Sequence, residues 1–264
     1  VKQRIITAII AFGIFIPFIF IGGLPLTLII YAIASIGLFE MLRMRELSIF
    51  SIEGILSWIA LALLLLPSQY VAQLEQWTTL SIVEMIFIIV FLLLIVTVIS
   101  KNRITFDHVG FIILSFLYVG IGFHYFIETR TFGVEYIFYA LLIVWTTDSG
   151  AYFIGRKVGK RKLWPEISPN KTVEGFWGGV LSAVVMVLIY QQFFTIHPSF
   201  VTVLIVTIVA SMFGQLGDLV ESALKRHYNV KDSGTLLPGH GGVMDRFDSL
   251  LFVLPLLHFL HLIG

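Results

Sequence analysis

Apolar positions along this chain come in long blocks, not in the two-residue alternation of half-buried strands. The blocks cover approximately residues 5–21, 24–39, 54–66, 81–100, 109–127, 134–147, 175–194, 200–216 and 247–262. A hydrocarbon layer about 30 Å thick is crossed by roughly 20 mostly apolar residues in a helix. The pattern therefore predicts an all-α polytopic integral membrane protein with about nine transmembrane helices. The third, sixth and ninth blocks are short, so flanking residues must lengthen them or the helices must end inside protein. A membrane β-barrel, whose strands alternate with period two, does not fit these blocks. Lys2 and Arg4 precede the first block as in a secretory signal. No small-residue cleavage site follows, and the block meets Gly22, Gly23 and Pro25, so an uncleaved first span is expected.

The polar positions divide the chain. Residues 1–147 have short, sparsely charged loops and are expected to form an N-terminal scaffold of about six helices. Residues 148–264 hold about three helices and two long polar segments, 148–174 and 218–247. The two parts are expected to form one membrane-embedded unit, with the function in the polar segments, because long polar loops add little to span packing.

Composition agrees with the hydropathy pattern. The chain has 264 residues, of which 58% are hydrophobic and 12% charged. A soluble domain carries about 25% Asp, Glu, Lys and Arg, so this one could not cover a globule of its size with a solvated surface. A formal net charge of +1 excludes a nucleic-acid partner, and the absence of Cys excludes disulfides, thiolate metal sites and Cys nucleophiles. The distribution of basic residues also sets an orientation. If nine spans start from a cytoplasmic N-terminus and end with the C-terminus outside, sixteen of the seventeen Lys and Arg lie in cytoplasmic segments, and only Arg130 lies outside.

The second polar segment is the richest in chemistry. Asp218, Glu221, Asp232, Asp245 and Asp248 lie there with Lys225, Arg226, Lys231 and Arg246. Asp218, Glu221, Ser222 and Lys225 are spaced i, i+3, i+4 and i+7, so a helix continuing past Leu216 would present all four on one face. Asp245 and Asp248 are i, i+3 at the start of the last apolar block, where a helix N-terminus favours negative charge. Hard oxygen ligands suit Mg²⁺, which takes one or two carboxylates with waters and substrate phosphates. The neighbouring cations suit phosphate oxygens. Together they are the equipment of phosphoryl and nucleotidyl transfer. Rim ion pairs would explain any single charge, but not this concentration in so apolar a chain, since charge beside hydrocarbon is costly.

Three other features are less specific. The stretch Pro238-Gly239-His240-Gly241-Gly242 could bring backbone N–H groups to an anion or simply turn the chain into the last helix. Ser168-Pro169-Asn170-Lys171-Thr172 reads as a turn leading into a helix capped by Thr172, or as a phosphate grip by Lys171. The stretch 155–161 is not a P-loop, being one residue short between its glycines and having Arg161 in place of Ser or Thr. Its basic residues suit anionic lipid. The remaining His residues are scattered, which argues against a His-based zinc site. Glu40 and Glu84, near span ends, are expected to snorkel to the interface.

Residues 222–248 read SALKRHYNVKDSGTLLPGHGGVMDRFD. This resembles the signature of the phosphatidate cytidylyltransferase (CDP-diacylglycerol synthase) family in its bacterial form. The pattern is carried by Ser222, Lys225-Arg226, Lys231-Asp232, Pro238, His240-Gly241-Gly242, Asp245-Arg246 and Asp248. Upstream, Asp148, Ala151-Tyr152, Gly155 and 168–172 also resemble family motifs, so the specific likeness covers about 148–248. The resemblance implies Mg²⁺-dependent transfer from CTP to phosphatidate, giving CDP-diacylglycerol and pyrophosphate, with Mg²⁺ acting alone or with a second cation. It further implies a homodimer in the bacterial cytoplasmic membrane, drawing its lipid from the inner leaflet, with its site facing the cytoplasm. On this reading Asp218, Asp245, Asp248 and Asp148 hold metal, and Ser222 and Lys225 join the catalytic set. Arg226, Lys231 and Arg246 bind phosphates, and Ser168, Asn170, Lys171 and His240 complete the substrate site. A CDP-alcohol phosphotransferase is the alternative enzyme class, but its Asp-Gly-x-x-Ala-Arg pattern is absent. An ion or lipid transporter would spread charges near the midplanes of several helices instead of collecting them in one half.

Overall fold

The computed structural model describes the backbone of residues 2–263 except 237, 238 and 240, and side chains from Phe12 onward. The chain forms two compact units, residues 1–128 with 233–243, and residues 129–232 with 244–264. The first cut falls inside a helix, and a short segment of the C-terminal half packs with the N-terminal unit.

The first unit contains α1 (Lys2–Ile21), α2 (Gly23–Met44), α3 (Ile52–Leu64), α4 (Ser68–Thr78), α5 (Ile82–Ile99) and most of α6 (Phe106–Phe132). Gly22 and Gly23 reverse the chain between α1 and α2 at positive φ, 66° and 54°, which side chains disfavour. Tyr31 Oη donates to the Ala62 carbonyl at 2.9 Å, and Trp58 Nε1 donates to Ser35 Oγ at 2.9 Å, tying α2 to α3. Ser81 and Glu84 form a reciprocal capping box at the start of α5, so Glu84 caps its own helix. Only Ile89 and Leu93 of α5 are fully buried, while Val83, Phe87, Phe91, Ile95 and Val98 are exposed.

The second unit is built on α7 (Val134–Val158), α8 (Val173–Phe193), α9 (Phe200–His227), α10 (Met244–Phe247) and α11 (Leu250–Phe259). A small antiparallel pair, β1 (Lys162–Trp164) and β2 (Ser168–Thr172), links α7 to α8. Ser168–Thr172 is thus a strand and not the turn expected from its Ser-Pro-Asn composition, because it finds a partner in β1. Thr172 does cap α8, its Oγ1 accepting from the Gly175 N–H at 3.1 Å.

Small residues govern this unit. Gly175, Gly178, Gly179 and Ser182 on α8 face Thr147, Gly150, Ala151 and Ile154 on α7. A Cβ at Gly179 would lie 2.7 Å from the Thr147 carbonyl oxygen, and one at Gly175 would lie 2.8 Å from that of Ala151. Between membrane helices, where lipid is as apolar as Leu, such close approach supplies packing that the hydrophobic effect cannot. Buried hydroxyls add interhelical bonds, Tyr139 to Thr207 at 2.9 Å and Thr147 to Ser211 at 2.7 Å.

Each of the nine apolar blocks overlaps a helix, but length separates them. Among the described residues, six helices are long and apolar enough to cross a membrane, namely α2, α5, α6, α7, α8 and α9. The count becomes seven if α3 and α4, bent by 118° across a break at Leu65, Leu66 and Pro67, make one span. The sixth block is extended by its polar flank to Val158, whereas the ninth yields a helix of 10 residues, which spans about 15 Å.

The close approach of α7 and α8 leads to an expected result. Gly179→Ala should force the two backbones apart and cost about 1–3 kcal/mol, seen as a lower thermal-unfolding midpoint in detergent. Gly110→Ala on α6, where an added Cβ meets nothing within 4 Å, should leave the midpoint unchanged or slightly raised.

Candidate active site

α9 does continue past Leu216, to His227, so Asp218, Glu221, Ser222 and Lys225 share a face as their spacing requires. Lys225 Nζ bridges two carboxylates, Glu221 Oε2 and Asp245 Oδ1, at 2.5 Å each. The side chains of Lys225, Glu221 and Asp245 are only 14%, 1% and 5% exposed. In so dry a setting the cation is what allows the two acids to sit together. One turn back, Lys171 Nζ meets Asp218 Oδ2 at 2.6 Å, and Ser222 Oγ donates to Asp218 Oδ1 at 3.3 Å. Lys171 is delivered by β2, which runs directly into the N-terminus of α8.

Asp148, on α7, interacts electrostatically with Asp218, Lys171 and Arg246. Asp248, in the turn between α10 and α11, faces Asp218, Glu221 and Asp148, and one of its oxygens accepts from the Ser249 N–H at 2.7 Å. Three aspartates thus face one another with fewer cations than charges. Glu221 Oε1 is buried without a hydrogen-bond partner among the described residues. This donor set fits a divalent cation, whose charge would offset the mutual repulsion of the carboxylates. No three His, Asp or Glu among the described residues form a metal cage by themselves. That is compatible with Mg²⁺, which completes its shell with water and substrate phosphate.

A cleft of about 480 Å³ opens beside this cluster, within the range of small-molecule sites. Asp148, Asn170, Lys171, Gln215 and Asp218 form its polar end. Tyr152, Leu163 and Phe176 supply apolar surface, and Arg156 contributes a cation. Gln215 is fixed by donating to the Phe176 carbonyl at 3.2 Å. Gly155 and Gly175 lie close together on the wall, where a Cβ on Gly155 would be 3.4 Å from Gly175 Cα.

The residues named from the sequence fall into three groups. Asp148, Asn170, Lys171, Asp218, Ser222, Lys225, Asp245 and Asp248 converge on the cleft or on the ion-pair cluster beside it, and Arg246 faces Asp148. Ser168 lies on β2 but does not line the cleft, and Arg226 donates to the Ile167 carbonyl at 3.3 Å, bracing the hairpin. Lys231 is exposed on the segment after α9 and does not line the cleft. His240 and Pro238 lie outside the described residues.

Several residues were missed or misjudged. Gln215 and Phe176, which line the cleft, are signalled only by lying three residues before Asp218 and one residue after Gly175, whereas Tyr152, one helical turn from Asp148, was already among the positions carrying the family resemblance. Glu174 accepts from the Lys160 and Arg161 N–H groups at 3.0 and 3.2 Å, so the backbone of part of the basic stretch is held in place. Glu40 does not snorkel. It is 2% exposed and accepts from Ser233 Oγ at 3.0 Å and from the Val243 N–H at 2.9 Å.

The second unit therefore defines a polytopic membrane protein whose carboxylates and cations are arranged for phosphate-bearing substrates. The chain matches the cytidylyltransferase family over residues 2–263, and it belongs to that family. It is 53% identical to the phosphatidate cytidylyltransferase of Bacillus subtilis over 98% of this chain and 97% of the relative. It is 51% identical to the enzyme of that name from Staphylococcus epidermidis and 48% identical to that from Staphylococcus aureus, over 98% of both chains in each case.

The ion-pair cluster gives a direct test. Lys225→Met would leave Glu221 and Asp245 buried and unneutralised, and should destabilise the protein by about 3–5 kcal/mol. Adding Glu221→Gln should recover part of that loss in the same unfolding measurement, since it removes one of the stranded charges.

Proposed function

We propose that this protein transfers the cytidylyl group of CTP to phosphatidate, forming CDP-diacylglycerol and pyrophosphate. The observation that carries the reading is the cleft that joins Asp148, Lys171 and Asp218, in a chain of the cytidylyltransferase family closely similar to phosphatidate cytidylyltransferases. In the reaction a phosphate oxygen of phosphatidate attacks the α-phosphorus of CTP. A new P–O bond forms there as the bond to the bridging oxygen of the β-phosphate breaks, and pyrophosphate departs with that electron pair.

Both reactants are anions, so the protein must first hold them together. Lys171 and Arg156 are set to receive phosphate oxygens, and Asn170 can donate to them from the same strand. Lys225 keeps Glu221 and Asp245 fixed, which orients the end of α9 and gives Asp218 a defined position. Asp148, Asp218 and Asp248 are the carboxylates that would contribute to holding Mg²⁺, with water and substrate phosphate completing its shell. Asp245, already engaged by Lys225, would contribute to the cation's surroundings through its second oxygen. Bound there, Mg²⁺ supplies charge neutralisation and orients the triphosphate. The rest of the rate enhancement would come from positioning and from fixed charges in a water-poor site. Tyr152, Leu163 and Phe176 provide apolar surface for the base or the lipid glycerol region beside the phosphate grip.

The positive-inside pattern supports an orientation in the bacterial cytoplasmic membrane with a cytoplasmic N-terminus and nine crossings, the shorter helices α3 and α11 completing theirs through flanking residues. In support, His258 Nε2 near the end of α11 pairs with Thr129 Oγ1 at 2.9 Å, near the end of α6 and shortly before α7 begins. CTP then arrives from the cytoplasm and phosphatidate from the inner leaflet. The homodimer implied by the resemblance would be read from chemical crosslinking in native membranes.

Purified protein given labelled CTP, phosphatidate and Mg²⁺ should release pyrophosphate and form a labelled lipid. Folded protein that yields neither product at saturating substrate would overturn the reading. Asp218→Asn and Asp248→Asn should each lower kcat by about 100-fold or more. A cysteine at Lys157, which is exposed after Asp148 on α7, should be modified by an impermeant reagent only from the cytoplasmic side.

A further inference from the structure

Glu40 is an acid placed among apolar residues of α2, in the run Leu38-Phe39-Glu40-Met41-Leu42, and it is almost completely buried. A carboxylate is kept in such a place only with hydrogen-bond donors around it. Two of its hydrogen-bond donors come from one distant stretch of chain. Ser233 Oγ, itself 5% exposed, donates to Oε2 at 3.0 Å, and the Val243 N–H donates to Oε1 at 2.9 Å. Ten residues separate the two donors in sequence, yet one side chain receives both. The residues just inside the pair are Gly234 and Gly242, and a Cβ on either would collide with the Glu40 carboxyl oxygens. Glycine at these two positions is therefore what lets the backbone close on the carboxylate from both sides.

We infer that Glu40 is a positioning residue for the transfer reaction, clamping both ends of the 233–243 segment through Ser233 Oγ and the Val243 N–H. This rests on the proposed function. The clamp works through the chain: Val243 leads directly to Met244, Asp245 and Arg246, the residues of α10. Asp245 is the acid that Lys225 must meet, and Asp248 follows one turn later. Releasing Val243 removes a restraint on the backbone one residue ahead of α10. A misplacement of about 1 Å in a reacting group can cost about 100-fold in rate. A carboxylate suits this role better than an amide because its two oxygens can each accept a separate donor with charge assistance. The negative charge itself takes no part in the chemistry, which sets Glu40 apart from Asp218 and Asp248.

The test combines kinetics with amide hydrogen exchange on full-length protein in detergent. Glu40→Ala should lower kcat by about 100-fold while the KM for CTP stays within about threefold. It should also raise exchange within 233–243 while leaving α7, α8 and α9 protected. Glu40→Gln keeps an acceptor but loses charge assistance, so its kcat should stay within about tenfold of wild type. Ser233→Ala, which removes one arm of the clamp, should fall between wild type and Glu40→Ala in both measurements. Three outcomes overturn the inference: wild-type kcat in Glu40→Ala, unchanged exchange in 233–243, or Glu40→Gln as inactive as Glu40→Ala. The last would mark the charge itself as essential. An inactive wild type would refute the proposed reaction, while the exchange comparison would still decide whether Glu40 clamps the segment.

Discussion

The cost of keeping carboxylates together at the end of a membrane helix constrains the rest of the site. Glu221 and Asp245 are nearly inaccessible to water, and Lys225 between them is the cation that makes their burial tolerable. The same demand recurs one turn earlier, where Lys171 meets Asp218. It is less completely met around Asp148 and Asp248, which face other acids. A group of acids partly neutralised by the protein and partly open is suited to receive a cation together with its anionic substrate. The stability of the site and its chemistry are in this sense one electrostatic arrangement.

That arrangement needs a rigid frame, and the frame comes from the smallest side chains. The glycines of α7 and α8 let the two backbones approach so closely that Asp148, in the second half of one helix, and Thr172, at the start of the other, bound a common cleft. The hairpin between them then carries Asn170 and Lys171 to the opening. Larger residues in the seam would fill the space between the helices but separate the walls of the cleft. Interhelical hydroxyl pairs such as Thr147 with Ser211 lock α9 to the same frame, so the carboxylates of α9 keep their place relative to Lys171.

Much of this was legible in the residues, and what was not has a physical cause. The i, i+3, i+4, i+7 spacing from Asp218 to Lys225 placed four polar groups on one helix face, because helical geometry is local. The Thr172 cap was readable for the same reason. The strand at Ser168–Thr172 was not, since a strand is defined by its partner and β1 carries no alternating pattern. Glu40 and Glu84 looked alike as acids near span ends. One is a local cap on its own helix, and the other receives donors from about 200 residues away, a difference that local sequence does not carry. The bend between α3 and α4 was not read from the sequence, since its angle depends on what the two helices pack against.

By itself the sequence determined the class of protein, the location of its charges and the family it belongs to. Apolar block length is set against a fixed hydrocarbon thickness, and a signature of fixed polar offsets identifies a site without coordinates. Only the tertiary structure decided which cation answers which acid, and that Asp148, Lys171 and Asp218 share a cleft although long stretches of chain separate them. It also decided that Glu40 is buried and bound. These facts depend on how closely particular backbones approach, and that distance is set by packing of residues remote in sequence.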